Sequence, residues 1–225
     1  MGTLARHLSF CLTASVVAAS CTAASPNAPT SSETASARPG RILVLGDSLA
    51  VTPTRADSFP ALLQTRLDAR SAGWTVVNAG VSGDTTAGGL ARFNTAAGDG
   101  ADVLVLELGA NDGLRGIAMA TVERNLSTII ERAQARGMRV LLCGMETPPS
   151  HGWDYTLAFH QLFPRLAARY GVPLVPFLLE GVALDPEMNG PDGFHPNGAG
   201  AHRIADTVWP YLDPLLTPAA VKSPA

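Results

Sequence analysis

Two stretches of the chain read Ile42-Leu43-Val44-Leu45 and Val103-Leu104-Val105-Leu106. Four consecutive apolar residues, mostly branched, leave no polar face to turn toward water. Such a run is a strand buried on both sides, the habit of parallel sheets with helices over each face. Both runs lead into small polar residues, Gly46-Asp47-Ser48 in the first case and Gly109-Ala110-Asn111-Asp112 in the second. These land at the carboxyl ends of strands, where open α/β sheets hold their ligands.

The rest of the chain alternates between the two periodicities. Strands are expected at 41–45, 74–77, 102–108, 139–145 and 173–177. Asp57 or Ser58 caps a helix with Pro60 in its first turn, apolar at Phe59, Leu62, Leu63 and Leu67 and stopped by Gly73. Thr85 or Thr86 opens a short helix containing Leu90 and Phe93. Thr121 caps the next, which carries Val122, Leu126, Ile129, Ile130 and Ala133 and ends at Gly137. A fourth helix, about 155–170, has Leu157, Phe159, Leu162, Phe163 and Leu166 as its apolar face, with Pro164 as a bend or break. The last begins at Asn197 or Gly198 and turns Ile204, Ala205, Val208, Trp209 and Leu212 inward. Strand-helix alternation implies right-handed crossovers and a parallel sheet covered on both faces. The expected class is α/β, flavodoxin-like, a five-stranded parallel sheet of order 2-1-3-4-5 spanning residues 41–216 as one domain. A chain of 225 residues, 46% hydrophobic, is enough to fill such a core.

The ends read differently. Arg6 and His7 precede an apolar run from Leu8 to Ala19, and Ala18-Ala19-Ser20 precede Cys21. That is the pattern of an export leader over residues 1–21, too short to span a bilayer. Ala-Ala-Ser-Cys resembles a bacterial lipobox, which implies a lipid anchor at Cys21; an ordinary secretory leader is the alternative. Residues 22–40, rich in Ser, Thr, Ala and Pro, are expected to be a flexible tether, and 217–225 a frayed tail. Cys143 is expected to be a small core residue. The cysteines show no metal-ligand spacing. Net charge is −3 and the basic residues are scattered arginines with Lys222 the single lysine, which argues against nucleic acid as a partner. The only expected link to a membrane is the lipid at Cys21.

The chemistry gathers at one end of the sheet. Ser48 offers a hydroxyl and its own N–H at the same place. A serine needs a base, and His195 in the segment Asp192-Gly193-Phe194-His195-Pro196 is the candidate. Asp192, three residues earlier, can reach Nδ1 of His195 and leave Nε2 facing Ser48. Donors for a tetrahedral oxyanion are the N–H of Ser48, the N–H of Gly83 and the side-chain amide of Asn111. Asp47 and Asp112 are expected to staple loops as hydrogen-bond acceptors, and His151, His160 and His202 to face solvent.

Gly46-Asp47-Ser48-Leu49, Gly83, Gly109-Ala110-Asn111-Asp112 and Asp192-Gly193-Phe194-His195-Pro196 together resemble the blocks of the SGNH (GDSL) hydrolase family. The four naming residues correspond to Ser48, Gly83, Asn111 and His195. The stretches around Val76–Thr86, Leu106–Gly116 and Pro176–Leu179 are similar to its arylesterase, acyl-CoA thioesterase I and lysophospholipase L1 branch. The resemblance implies a three-layer α/β/α sandwich and a serine esterase that works on acyl esters and thioesters without cofactor or metal. Two departures bear on substrate. Ala50-Val51-Thr52-Pro53-Thr54 replaces the usual loop after the nucleophile. Glu146 is an acid after the fourth strand, which disfavours anionic leaving groups such as coenzyme A. The expected substrates are small aryl esters and short or medium acyl esters, with thioesters and lysophospholipids as further candidates. A carbohydrate acetylesterase is the enzymatic alternative, and a flavodoxin-like ligand-binding lipoprotein the alternative of another class.

Overall fold

A computed structural model describes residues 40–98 and 100–216. The expected leader, tether (up to residue 39) and tail lie outside the described residues. Five strands, β1 (Gly40–Gly46), β2 (Trp74–Asn78), β3 (Val103–Glu107), β4 (Arg139–Cys143) and β5 (Leu174–Val175), pair in parallel in the order β2-β1-β3-β4-β5. The apolar runs behave as their composition demands: Ile42 to Leu45 and Val103 to Leu106 are fully buried in the middle of the sheet. β2, at an edge, is only partly covered.

Helices α1 (Phe59–Ala69) and α6 (Gly198–Leu212) pack against each other; α2 (Thr86–Ala97), α4 (Met119–Ala135) and α5 (Trp153–Tyr170) form a second row. Right-handed crossovers put the two rows on opposite faces, because the chain steps one way from β1 to β2 and the other way from β2 onward. The result is the expected three-layer α/β/α sandwich.

Departures from the expected elements have local causes. β5 is two residues long rather than five, because Pro173 and Pro176 flank it and neither has an N–H for a ladder. Ser58 is the N-cap of α1, yet its hydroxyl donates to Arg55 O at 2.9 Å instead of capping. Thr121 lies inside α4, whose N-cap is Ala118, because the chain re-enters a helix soon after Gly116. Pro164 does not end α5, which runs on to Tyr170, and Leu157 on that helix is exposed rather than inward-facing. A short helix, α3 (Ala110–Arg115), occupies what reads as a loop after β3.

Candidate active site

Ser48 sits just beyond β1, where the strand gives way to a single 3-10 turn (Ser48–Ala50). Asp47 is the N-cap of that turn, accepting from Leu49 N–H at 3.0 Å. Gly46 is required for close approach: a Cβ there would lie 2.2 Å from Glu107 Oε2. Arg92 of α2 ties the neighbourhood together. Its guanidinium donates to Gly46 O at 2.8 Å and to Ala79 O, and pairs with Asp84 at 2.7 Å. One cation therefore holds the carboxyl ends of β1 and β2 and the loop after β2.

Asp192 and His195 belong to the loop before α6. That loop is closed on itself by Gly190 N–H to His195 O at 2.8 Å and by Asn197 N–H to Met188 O at 2.9 Å. Gly193 takes a φ of +73° at its tip. Asp192 Oδ1 accepts from the N–H groups of Phe194 and His195, both at 3.0 Å, and Oδ2 lies 2.6 Å from His195 Nδ1. The His195 hydrogen bond, then the two backbone N–H groups, hold the Asp192 carboxyl well below the usual carboxylate range. An ionised carboxylate only accepts, so it assigns the ring proton to Nδ1. Nε2 then presents a lone pair, and it lies 2.9 Å from Ser48 Oγ. The arrangement can take a proton from that hydroxyl.

Asn111 is carried on α3. Gly109 precedes that helix at φ +123°, with Phe163 Cζ 3.1 Å from where a Cβ would sit, so a glycine alone makes this entry. Asn111 Nδ2 donates to Asp47 Oδ2 at 3.0 Å. Asp112, next to it, staples α3 to α2 by accepting from Thr86 N–H at 2.8 Å and Thr86 Oγ1 at 2.6 Å. Asp47 and Asp112 thus act as acceptors between loops, as expected. Gly83 lies in the loop after β2 at φ +75°, with its carbonyl held by Arg115 of α3 at 2.9 Å.

Ser48, Asn111, Asp192 and His195 line one cavity of about 640 Å³; Gly83 is not among its lining residues. Its apolar wall includes Leu49, Ala110, Met145, Phe177 and Leu179, and Leu184 and Phe194 stand exposed at its edge. Glu146 also lines it, held by His160 Nδ1 at 2.6 Å. His151, His160 and His202 are exposed, and Cys143 is buried, its thiol pushed up by burial.

One residue the sequence reading passed over stands beside this site. Glu107, the last residue of β3, is fully buried. Its Oε2 accepts from Asp47 N–H at 3.1 Å and its Oε1 has no hydrogen-bond partner among the described residues. Burial first, then the Asp47 charge, push its carboxyl well above the usual range. Burial raises Asp47 as well, to about 6, against the pull of Leu49 N–H and the Asn111 amide. Two carboxyls so close in a dry site do not both ionise; the pair keeps a proton, and Glu107 carries it.

This sets the sign of a stability effect. The native state holds at Glu107 a proton that the unfolded chain releases above the ordinary value of 4.5, so this group's contribution to stability falls as pH rises past that value. Glu107→Gln keeps the shape and the neutral state, and lacks that loss. The melting temperature of the variant relative to the wild type should therefore be higher at about pH 7 than at about pH 4.5, by roughly 2 °C or more. Calorimetry at both pH values checks it; an equal difference at both would mean that Glu107 is ionised in the native protein.

With this geometry in place, the chain's likeness to known proteins is informative. Residues 44–203 match the GDSL-like Lipase/Acylhydrolase family. The chain is 44% identical over 178 residues to the esterase TesA of Pseudomonas aeruginosa, covering 78% of this chain and 89% of that protein. It is 38% identical over 178 residues to thioesterase 1/protease 1/lysophospholipase L1 of Escherichia coli, covering 78% and 84%. A crystal structure of TesA superposes with a TM-score of 0.73 at 43% identity, over 78% of this chain and 99% of that one. The matched residues include Ser48, Asn111, Asp192 and His195 within one continuous span, and the chain belongs to the GDSL-like lipase/acylhydrolase family.

Proposed function

We propose that the chain hydrolyses small carboxylic esters by transferring the acyl group to Ser48 and then to water. Ser48 Oγ attacks the ester carbonyl while its proton passes to His195 Nε2. Asp192 fixes the His195 tautomer and balances the imidazolium charge that forms. The carbonyl oxygen, now negative, is met by Ser48 N–H and the Asn111 amide, which line the cavity, with Gly83 N–H of the loop after β2 as the third proposed donor. Collapse expels the alcohol, which takes the proton from Nε2. Water then repeats the sequence on the acyl-serine, and the carboxylic acid leaves.

The observation that carries this reading is the unbroken run from Asp192 to His195 to Ser48, with gaps of 2.6 and 2.9 Å, opening into an apolar cavity of about 640 Å³. A cavity of that size and lining suits short or medium acyl chains and aryl groups. Glu146 on its wall opposes anionic leaving groups, which favours oxygen esters over coenzyme A thioesters. The leader pattern over residues 1–21 supports action outside the cytoplasm, with a lipid on Cys21 where the lipobox is used.

An aryl phosphonofluoridate tests the mechanism. It should add one phosphonyl group to Ser48, found by mass spectrometry, and stop hydrolysis in step with labelling. Labelling elsewhere, or full activity after Ser48 is labelled, would sink the reading. A series of p-nitrophenyl esters from acetate to laurate, run beside acyl-coenzyme A and acetylated xylan, sizes the pocket. The expected optimum lies at short to medium oxygen esters. Acetate release from xylan exceeding hydrolysis of every aryl ester would move the substrate to polysaccharide.

A further inference from the structure

We propose that Asp47 is a positioning residue for the transition state: its carboxylate holds the Asn111 amide so that the second N–H of Nδ2 faces the oxyanion. The inference rests on the reading of Asn111 as an oxyanion donor and goes one step behind it.

A side-chain amide is a poor donor unless something decides which way it points. The last torsion of asparagine is broad and nearly two-fold, so oxygen and nitrogen exchange places at little cost. With the amide reversed, Asn111 would offer a carbonyl oxygen to a forming negative charge. Asp47 forbids that reversal. Its Oδ2 accepts from Asn111 Nδ2 at 3.0 Å, and an ionised carboxylate would repel the amide oxygen in the same place. One Nδ2 hydrogen is used in this bond and one remains for substrate.

Asp47 is itself held on every side. It is fully buried, its Oδ1 accepts from Leu49 N–H at 3.0 Å, and its own N–H donates to Glu107 Oε2 at 3.1 Å. Three charged or titratable groups and one neutral donor face the pair. Arg92 of α2 acts on Glu107, His195 of the α6 loop acts on Asp47, Cys143 of β4 feels Glu107, and Asn111 of α3 meets Asp47 as a neutral donor. Capping the Ser48 turn alone does not call for this. An asparagine or serine caps as well as an aspartate, without a buried charge. A second carboxyl, Glu107, is moreover buried beside the first with one oxygen unpartnered. That arrangement costs stability, and an accept-only group aimed at Asn111 is what it maintains.

The test is a double-mutant cycle on kcat, with each preparation normalised to the Ser48 that a phosphonofluoridate labels. Asp47→Asn, an isostere that can meet Asn111 with either a donor or an acceptor, should lower kcat by roughly 10- to 100-fold with KM within about twofold. In an Asn111→Ala background the same substitution should change kcat by less than about twofold, because nothing remains to be aimed. A full second drop in that background would overturn the proposal, since Asp47 would then act by another route. So would an undiminished kcat for Asp47→Asn while Asn111→Ala is impaired, an outcome that leaves the oxyanion reading standing. Wild-type kcat in Asn111→Ala would end both. The unmutated, isotope-labelled protein gives a check that does not depend on the variants folding. The Asn111 side-chain amide should show one strongly downfield, slowly exchanging proton; two averaged, fast-exchanging protons would overturn the proposal.

Discussion

Ser48→Ala should lower kcat on p-nitrophenyl butyrate by on the order of 10³-fold or more, while the melting temperature stays within about 2 °C of the wild type. The size follows from what is removed. Without Oγ no acyl-enzyme forms, and water must attack in one step with only the oxyanion donors and binding to help. Those alone leave a residual rate of roughly 10³–10⁴ over the uncatalysed reaction in triad hydrolases, so the loss is large and finite. The small effect on stability also follows. Ser48 is half-buried at the end of β1, and among the described residues its Oγ bonds only to His195, which itself is partly exposed. Alanine keeps the Ser48 N–H and the turn that Asp47 caps. A steady-state assay with parallel calorimetry checks both halves. Residual activity above about a tenth of wild type would mean that another group supplies the nucleophile.

Asn111→Ala should reduce kcat by roughly 10²–10³-fold with little change in KM, because its amide is asked to act where charge develops rather than on the ground state. Here a cost in stability is expected too. Removing the amide leaves Asp47 Oδ2 buried without this partner, which costs about 1–3 kcal/mol. Rates must therefore be compared per labelled Ser48, at a temperature below the lowered melting point. A fall in kcat that tracked only the unfolded fraction would remove Asn111 from the chemistry.

The layout of the sheet was legible, and so was the gathering of Ser48, Asn111, Asp192 and His195 at one cavity, because each leaves a local mark. Buried strands show as unbroken apolar runs, and the polar residues at their ends stand out against them. Glu107 left a mark as well, a charged residue between Leu106 and Leu108 in a strand that is otherwise wholly apolar, and it passed as part of the strand. What a single sequence does not reveal is its partner, because the Asp47 backbone lies sixty positions away. α3 was hidden for another reason. Six residues including Gly113, entered from Gly109 and left through Gly116, carry little helical propensity, and the helix rests on tertiary contacts such as the Asp112–Thr86 staple. The two-residue β5 shows the opposite case: the prolines that shorten it were visible, and their missing N–H groups could have been counted.

The loop before α6 makes the candidate site a thing of two parts and one seam. Asp192, His195 and the bonds that orient them lie within a few residues of one another, so this half arrives complete once the loop closes. Ser48 stands 147 positions away, fixed by the sheet and by Arg92, and the 2.9 Å Ser48–His195 hydrogen bond bridges the two halves. Substitutions within either half leave its own internal geometry to local repair. Those that shift α6 against β1 are different: they misalign the halves while each stays intact. Changes in the packing that joins the last helix to the sheet should therefore cost activity without altering any of the proposed reacting groups.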